Sequence, residues 1–259
     1  MVPLSDFCMD WHRRYLQQAS WTRALCNYLL EKAGISVAER VLEVGCGTGV
    51  ILHETAQSAL RPRRANFTIH GLDVAAEPLL QARLYEPSAH LTRGDAHALP
   101  YGEHLFNITF CHFLLLWVKD PRRVLLEMKR VTCLHGHVLA LAEPDYSARV
   151  DHPDALAPLG EWQELSLAQQ GANTAIGSRL ADLFRECGMK IVETGTITPW
   201  QPETYTDDEF AGEWDVLRAD LKDLIPESEL DRMMQLDAQA RLRGDRVLHV
   251  PTYFAHAQV

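Results

Sequence analysis

Two elements of this chain have the residue types and spacing to bind a nucleotide-like ligand. The first is the loop Gly45-Cys46-Gly47-Thr48-Gly49, with Glu43 two residues before it. Glycines in such a turn let a ligand approach the backbone amides and permit positive φ angles. The second is Asp73, 24 residues beyond Gly49, because one carboxylate can accept hydrogen bonds from both hydroxyls of a ribose.

The elements that flank these residues predict where they meet. Val41, Leu42 and Val44 form a short apolar run before the glycine loop, which is typical of a central parallel strand covered by helices on both faces. A helical pattern follows the loop from Thr48. Asp73 follows a second apolar strand, 67–72. Doubly wound sheets bind ligands at the carboxyl ends of their strands, so we expect the loop and Asp73 to share one crevice.

The glycine spacing distinguishes between two classes of ligand. A dinucleotide fingerprint, Gly-x-Gly-x-x-Gly, would place glycine at position 50, where this chain has Val50. The observed Gly-x-Gly-x-Gly therefore argues against a nicotinamide-dependent oxidoreductase. A tight turn that binds no ligand stays open as the structural alternative.

Three motifs together resemble the class I S-adenosylmethionine-dependent methyltransferases. Residues 41–49 match the pattern of the family's first motif, Asp73 stands where the family has an acid at the end of the second strand, and Gly94-Asp95-Ala96 before Pro100 is similar to its third-strand signature. The nearest resemblance is to the small-molecule methyltransferases of the ubiquinone and menaquinone biosynthesis group. It covers about residues 38–145 and implies S-adenosylmethionine as cofactor, with methyl transfer to a small molecule. A non-catalytic protein that binds this cofactor remains an alternative.

The resemblance also implies roles for individual residues. Asp73 would bind the ribose and Val74 would lie against the adenine. Asp95 would accept a hydrogen bond from the adenine amino group, and the Ala96 amide would contact a ring nitrogen. The loop after the fourth strand would run beside the methionine part. The predicted cofactor site comprises Glu43, Gly45, Cys46, Gly47, Asp73, Val74, Gly94, Asp95, Ala96 and His112.

Candidate groups for the transfer itself lie at the ends of strands four and five. His112, Glu143 and Tyr146 are the candidate proton acceptors. The fold methylates oxygen, nitrogen, carbon and sulfur, often by alignment and desolvation alone, so a dedicated base is not required. An aromatic pocket would favour a hydrophobic or aromatic acceptor. We expect the acceptor pocket to be lined by Tyr15, Trp117, Trp162 and Trp214.

The fold class predicted for the chain is α/β. The resemblance implies a Rossmann-like sheet of seven strands in the order 3-2-1-4-5-7-6, with strand 7 antiparallel. We expect one domain over 1–259, with an N-terminal helical lid at 1–37, a cofactor-binding core at 38–145 and helical insertions at 147–171 and 206–244.

Three expectations concern the segments around the core. The lid should contain two helices within 6–33, the second capped by Ser20. The last strand should run from Val247 to Val259. Leu165 should face inward on the first insertion, and the inserted helices should pack on each other or on the crevice rim. A homodimer interface is the alternative use of their apolar faces.

Composition and residue spacing limit the classes of partner, the metal content and the cellular location that we expect. A net charge of −10 at pH 7 would repel a phosphate backbone, so we expect no nucleic acid. Six cysteines without a Cys-x-x-Cys pair indicate reduced thiols. His135 and His137 have no third ligand at metal-binding spacing, so we expect no metal. The first ten residues lack a leader pattern and no run of 18 uncharged apolar residues occurs, which predicts a cytoplasmic protein without membrane insertion.

Overall fold

The computed structural model describes residues 11–57, 67–197 and 206–259. Strands and helices alternate along most of this part of the chain, as expected for an α/β fold. The strands are β1 (Arg40–Val44), β2 (Thr68–Asp73), β3 (His90–Arg93), β4 (Phe106–Cys111), β5 (Thr132–Pro144), β6 (Val150–His152), β7 (Lys190–Ile197), β8 (Val247–His249) and β9 (Thr252–Gln258). The helices are α1 (Trp11–Lys32), α2 (Val50–Gln57), α3 (Ala76–Tyr85), α4 (Pro121–Val131), α5 (Ala157–Gln169), α6 (Leu180–Glu186), α7 (Asp207–Leu221) and α8 (Glu227–Arg243).

The main sheet has seven strands in the order β3-β2-β1-β4-β5-β9-β7. Strands β1 to β5 pair in parallel, and β9 is antiparallel to both β5 and β7. Since β7 and β9 are the sixth and seventh strands of this sheet along the chain, the order is the predicted 3-2-1-4-5-7-6. The predicted fold class and the antiparallel last strand are confirmed.

Alternating side chains of the central strands supply the two halves of the core. Leu42 and Val44 of β1 face one cluster, which includes apolar residues of α4 and α6. Val41 of β1 and Phe110 of β4 face the other cluster, to which α1 contributes Leu29. Because both faces of the sheet are covered, its central strands are mostly apolar, and polar groups of the site such as Asp73 of β2 and Glu143 of β5 lie at their carboxyl ends.

The N-terminal segment differs from the expectation of two helices. Helix α1 is continuous from Trp11 to Lys32, so the predicted cap at Ser20 is wrong. The Ser20 hydroxyl instead donates to the carbonyl of Gln17 at 2.7 Å, a bond within the helix that leaves its backbone intact. Gly34, with φ +80°, follows the helix in the left-handed conformation that ends many helices. Residues 6–10 of the predicted first helix lie outside the described residues.

The C-terminal segment forms two strands where one was predicted. Pro251 separates β8 from β9 and has no amide hydrogen to continue a ladder. Its carbonyl accepts a hydrogen bond from the Asp145 amide at 2.7 Å. Strand β9 joins the main sheet, whereas β8 pairs antiparallel with β6 in a separate two-stranded sheet that the sequence did not predict.

The inserted helices α5, α7 and α8 pack on one another. Their buried apolar side chains, together with Leu156, form a third core that we call the satellite cluster: Leu156, Leu159, Trp214, Leu217, Leu221, Leu230, Met233 and Ala240. Thr206 caps α7 through a capping box with Glu209, as its sequence pattern indicates. Leu165 is 51% exposed, so its predicted inward orientation is wrong. Gln163 and Ser166 of the same helix are buried instead and bond to Asp220 of α7.

Among the helices of the described residues, none has the length and apolar character needed to cross a membrane.

Candidate active site

The glycine loop is fixed to the neighbouring strand at its start. The amides of Gly45 and Cys46 both donate to the carbonyl of Leu72 in β2, at 2.7 and 3.0 Å. Gly45, Gly47 and Gly49 have φ angles of +76°, +49° and +82°, a region that side chains disfavour. The loop therefore needs glycine at these three positions for its backbone conformation.

Asp73 connects the glycine loop with the third-strand motif. Its Oδ2 atom accepts from the Gly47 amide at 2.9 Å, and its Oδ1 atom accepts from the Ala75 amide at 2.9 Å. Its main-chain carbonyl accepts from the Gly94 amide at 2.9 Å. The three stretches singled out in the sequence therefore meet at one place, at the carboxyl ends of β1, β2 and β3.

The far end of this crevice is open. Val74 is 66% exposed, and the side chain of Asp95 is largely exposed. The amide and the ring Nδ1 of His97 both bond to Asp95 Oδ1, at 2.9 and 2.7 Å, and these bonds lower the pKa of its carboxyl. Asp95 is thus ionised and has acceptor capacity at Oδ2. Ala96, by contrast, is buried beside it.

Two buried polar side chains, those of Glu43 and Cys46, lie before and within the glycine loop. Glu43 is 2% exposed, and its Oε2 atom has no hydrogen-bond partner among the described residues. Burial, with added repulsion from Asp73, raises its pKa well above the usual value. Burial also raises the pKa of the Cys46 thiol. Both groups therefore favour their neutral forms, and Glu43 can still bond to a ligand or a water molecule.

Helix α1 covers the glycine loop. A Cβ atom built on Gly47 would lie 3.1 Å from Cε2 of Tyr15, so the ring of Tyr15 rests on the loop. His12 Nδ1 lies 2.9 Å from the Thr48 hydroxyl oxygen. Burial, with added repulsion from Asp73, raises the pKa of Tyr15. These contacts give α1 the position that a lid over the cofactor requires.

Helix α1 also contacts the loop after β4. The Thr22 hydroxyl oxygen lies 2.9 Å from Nε2 of His112, and the His112 ring meets Phe113 edge-on at 4.4 Å between centroids. Burial lowers the pKa of His112 to about 3. The imidazole is therefore neutral at physiological pH, but so low a pKa makes it a weak proton acceptor, and Thr22 already contacts one ring nitrogen. The sequence did not point to Thr22 as a partner of His112.

Glu143 and Tyr146 lie at the end of β5. Glu143 is completely buried, and burial raises its pKa to about 7. Both of its oxygens accept hydrogen bonds from backbone amides of the loop after β4. Tyr146 is half-buried, and burial raises the pKa of its phenol. Arg14 of α1 and Asp220 of α7 interact electrostatically with Tyr146, so its phenol lies where α1, α7 and the main sheet converge.

The three tryptophans predicted to line the acceptor pocket lie in different surroundings. Trp117 is 47% exposed, at the end of the loop after β4, and Trp162 is half-buried against the satellite cluster. Trp214 is only 2% exposed, and its Nε1 donates to Asp237 at 2.8 Å inside the satellite cluster. The structure therefore places Trp214 in a core, which corrects its assignment to the pocket wall.

A buried ion-pair network in the satellite region was missed by the sequence analysis. Arg149 pairs with Asp151, and Arg246 pairs with both Asp151 and Asp237. All four side chains are at least 95% buried. Asp151 and Arg246, which join the two parts of this network, are 95 residues apart along the chain, so the network could not be predicted from local spacing.

The histidine pair at 135 and 137 has a structural partner. His137 Nδ1 lies 2.9 Å from Nε2 of His256 in the adjacent strand β9. In the described ranges, no group of three or more His, Cys, Asp or Glu side chains is arranged to hold a metal ion.

The fold and the crevice define a class: a doubly wound α/β domain with a nucleotide-type site at the carboxyl ends of β1, β2 and β3. Residues 42–140 match the family model described as a methyltransferase domain. The chain therefore contains a methyltransferase domain of the S-adenosylmethionine-dependent class, and the resemblance stated from its motifs is confirmed. The cofactor predicted from the motifs, S-adenosylmethionine, is that of this class.

Curated relatives extend the likeness beyond this domain. Malonyl-[acyl-carrier protein] O-methyltransferase of Halorhodospira halophila is 30% identical over 192 residues, which cover 72% of this chain and 58% of that protein. Ubiquinone biosynthesis O-methyltransferase of Vibrio cholerae is 34% identical over 118 residues, which cover 43% of this chain and 45% of that protein. The chain thus spans about half the length of these curated relatives.

A solved structure extends the likeness of fold to nearly the whole chain. Geranyl diphosphate methyltransferase in complex with S-adenosylmethionine gives a TM-score of 0.57 over 98% of this chain and 93% of that chain. The sequence identity is 13%, so this likeness concerns the fold alone.

Proposed function

We propose that this protein transfers the methyl group of S-adenosylmethionine to a small acceptor molecule. The observation that carries the proposal is the bond from the Gly47 amide to Asp73 Oδ2, because it joins the two predicted cofactor elements in one crevice. The names of two curated relatives support oxygen as the atom that is methylated.

The residues of the crevice fit this cofactor. Each Asp73 oxygen accepts one backbone amide and has a further lone pair for a ribose hydroxyl. The unpartnered Oε2 of Glu43 offers a buried acceptor near the loop. Val74 and Asp95 leave an exposed surface for the adenine. Bound there, S-adenosylmethionine would supply an electrophilic methyl group on a sulfonium.

The loop after β4 supplies an apolar wall for the transfer. Phe113 and Leu114 are half-buried, whereas Leu115 and Leu116 enter the core. A wall of this composition excludes water, which would otherwise stabilise the cationic reactant relative to the less charged transition state. Helix α1 closes the crevice from above through Tyr15.

The acceptor would lie between this wall and the helices α1 and α7. Tyr146 provides a phenol there, within the electrostatic reach of Arg14 and Asp220. The exposed ring of Trp117 and the half-buried ring of Trp162 favour a hydrophobic or aromatic acceptor with a polar end. His112, Glu143 and Tyr146 stay the candidate proton acceptors.

Two further parts of the proposal concern the setting of the protein. The cysteines among the described residues, Cys26, Cys46, Cys111, Cys133 and Cys187, are unpaired, which supports a reducing compartment such as the cytoplasm. The acidic composition argues against a nucleic-acid acceptor. A homodimer through the satellite region remains open, and sedimentation of the purified protein tests it.

Transfer of label from methyl-labelled S-adenosylmethionine tests the proposed activity. The acceptor panel should contain a malonyl thioester, a catechol and a simple phenol, which represent the kinds of acceptor suggested by the names of the curated relatives. Label on any of them, reduced in Asp73→Ala at a limiting concentration of S-adenosylmethionine, supports the enzyme. Binding of S-adenosylhomocysteine with no label transferred to the panel or to a metabolite extract would instead indicate a cofactor-binding protein without catalysis.

A further inference from the structure

Glu143 occupies an anion-binding concavity formed by its own chain. Its Oε1 accepts from the amides of Leu114 and Leu115 at 3.0 and 2.9 Å, and its Oε2 accepts from the amide of Leu116 at 3.3 Å. Successive amides that point at one anion form such a concavity, called a nest. Here the anion is a fully buried carboxylate, so the turn over 114–116 is organised around Glu143.

Other bonds show that this turn is tightly constrained. Phe113 has φ +51°, a left-handed conformation that is uncommon for an aromatic residue. Its amide donates to the carbonyl of Ala142, the residue before Glu143, at 2.9 Å. The amide of Trp117 donates to the carbonyl of Leu114 at 2.9 Å. The loop after β4 is therefore attached to the end of β5 through both the backbone and the Glu143 side chain.

The same turn directs one leucine toward the glycine loop. A Cβ atom built on Gly45 would lie 2.7 Å from Cδ1 of Leu114, so Leu114 fills the space beside that glycine. The next two side chains, Leu115 and Leu116, are 0% and 3% exposed in the core. The core therefore holds the turn at Leu115 and Leu116. A small rotation of the turn about these two residues would move Leu114 away from Gly45.

We propose that Glu143 is a positioning residue whose carboxylate holds Leu114 against Gly45 and thereby shapes the cofactor cleft. This inference rests on the proposed function, because it assigns the cleft to S-adenosylmethionine. It gives Glu143 a different role from that of a proton acceptor for the methyl acceptor, since both of its oxygens already bond to amides of the chain.

The ionisation state of Glu143 agrees with this role. Burial raises the pKa of its carboxyl to about 7, while the bonds from Leu115, Leu114 and Leu116 act in the opposite direction. The hydrogen bonds from these amides therefore allow the carboxyl group to ionise near neutral pH although it is buried away from water.

Calorimetric titration with S-adenosylhomocysteine at pH 8 tests the proposal without knowledge of the acceptor. Glu143→Gln keeps the size of the side chain but replaces one accepting oxygen with a donor, and we expect about tenfold weaker binding. Leu114→Ala should weaken binding to a similar extent. The double variant should bind no more weakly than about tenfold, because both changes remove the same contact. A hundredfold, additive loss would overturn the role of Glu143 through Leu114.

A second substitution at Glu143 and a control at another buried carboxylate separate the loss of these hydrogen bonds from a general loss of stability. Glu143→Asp keeps the charge but withdraws the carboxylate from the amides, so it should also lose affinity. Glu86→Gln is the matched control: Glu86 is a buried carboxylate whose bonds go to Ser88, His53 and Gln57 rather than to the loop after β4. We expect it to lower the melting temperature while S-adenosylhomocysteine binding stays unchanged.

Two outcomes are distinguishable. If the wild-type protein binds S-adenosylhomocysteine and folded Glu143→Gln binds it equally well, the positioning role is overturned while the proposed function stands. If the wild-type protein does not bind S-adenosylhomocysteine at all, the proposed function fails and the role of Glu143 fails with it.

Discussion

The ring of Tyr15 lies against Gly47, with Cε2 only 3.1 Å from the place a Cβ would take on that glycine. Gly47 also donates its amide to Asp73 at 2.9 Å. One backbone position therefore contacts the helix α1 from above and the predicted ribose-binding acid from the side. This relationship makes Gly47 the most sensitive position at which to test whether α1 acts as a lid.

Gly47→Ala should weaken the binding of S-adenosylhomocysteine by about tenfold, or roughly 1 to 2 kcal/mol. The added methyl group would press on Tyr15, and alanine at φ +49° is strained. Gly244→Ala is the matched control, because Gly244 has φ +76° with open space around its Cβ position. Calorimetry should show lower affinity in the first variant only. Equal affinity of both variants would argue against close contact between Tyr15 and the occupied loop.

Asp73→Ala should weaken S-adenosylhomocysteine binding by roughly 1 to 3 kcal/mol, the range for lost hydrogen bonds to a charged group. The variant removes the acceptor for the Gly47 amide as well as the proposed ribose contact. Asp120→Ala serves as the control, since Asp120 caps α4 through the Arg123 amide and should affect stability alone. Unchanged affinity in folded Asp73→Ala would remove this residue from the site.

S-adenosylhomocysteine should raise the melting temperature, whereas NAD and NADP should not, because a ligand stabilises only the state that binds it. The structural reason is the glycine loop, in which Val50 is buried at the start of α2 where a dinucleotide fingerprint has glycine. Differential scanning fluorimetry checks this with the three ligands at equal concentration. A shift with NAD and none with S-adenosylhomocysteine would contradict the cofactor assignment.

Local patterns were sufficient to predict individual strands and the glycine loop, and the family resemblance implied the order of the sheet. Val41 to Val44 predicted β1, and the position of Asp73 after β2 placed it beside the glycine loop, where it bonds to Gly47. Parallel strands covered on both faces leave a strong apolar signal. The carboxyl ends of such strands lie along one edge, so residues far apart in sequence could be brought together correctly.

Features that depend on distant partners could not be predicted. Ser20 was expected to start a helix, but its hydroxyl bonds within α1, and packing on the sheet keeps that helix continuous. The sequence indicated Glu143 as a candidate proton acceptor at the end of β5, but its bonds to the turn at 114–116 form only in the folded chain. Trp214 had the spacing of an inward residue, but its spacing did not reveal that the inside was the satellite cluster.

The pair formed by His137 and His256 should make the protein less stable in mild acid. His256 is fully buried, and burial, with repulsion from His137 and Lys32, lowers its pKa from 6.5 to about 4. Glu193 is the acidic group nearby that acts in the opposite direction. The unfolded chain therefore binds a proton more readily than the folded chain between about pH 6.5 and 4, so stability falls as pH falls through this window.

His256→Gln should remove this contribution, about 2 kcal/mol of unfolding free energy between pH 7 and pH 5 from the pKa difference. Urea unfolding at the two pH values measures it. His249→Gln, in the separate two-stranded sheet of β6 and β8, is the matched control and should keep the wild-type pH dependence. An equal pH dependence in all three proteins would contradict the buried neutral state of His256.

Two substitutions in the satellite region should separate an effect on stability from an effect on acceptor recognition. Trp214→Phe should lower the unfolding free energy by about 1 to 3 kcal/mol, because it removes the Nε1 donor and leaves Asp237 Oδ2 without that partner inside a core. Trp162→Ala changes a half-buried ring at the edge of the same cluster. Because we propose that this edge faces the acceptor, the change should raise the acceptor KM several-fold with a smaller loss of stability.

The expected pattern follows from where the two rings lie. Trp214 lies in the satellite cluster and Trp162 packs against it, so S-adenosylhomocysteine affinity should stay at the wild-type value in both variants. Urea unfolding, acceptor kinetics and sedimentation equilibrium of the wild-type protein and both variants separate the explanations. A raised KM in Trp162→Ala with an unchanged mass in solution supports a satellite region that covers the acceptor. Conversion of a wild-type dimer to a monomer, with acceptor kinetics intact, would show instead that these helices form an interface between two copies of the chain.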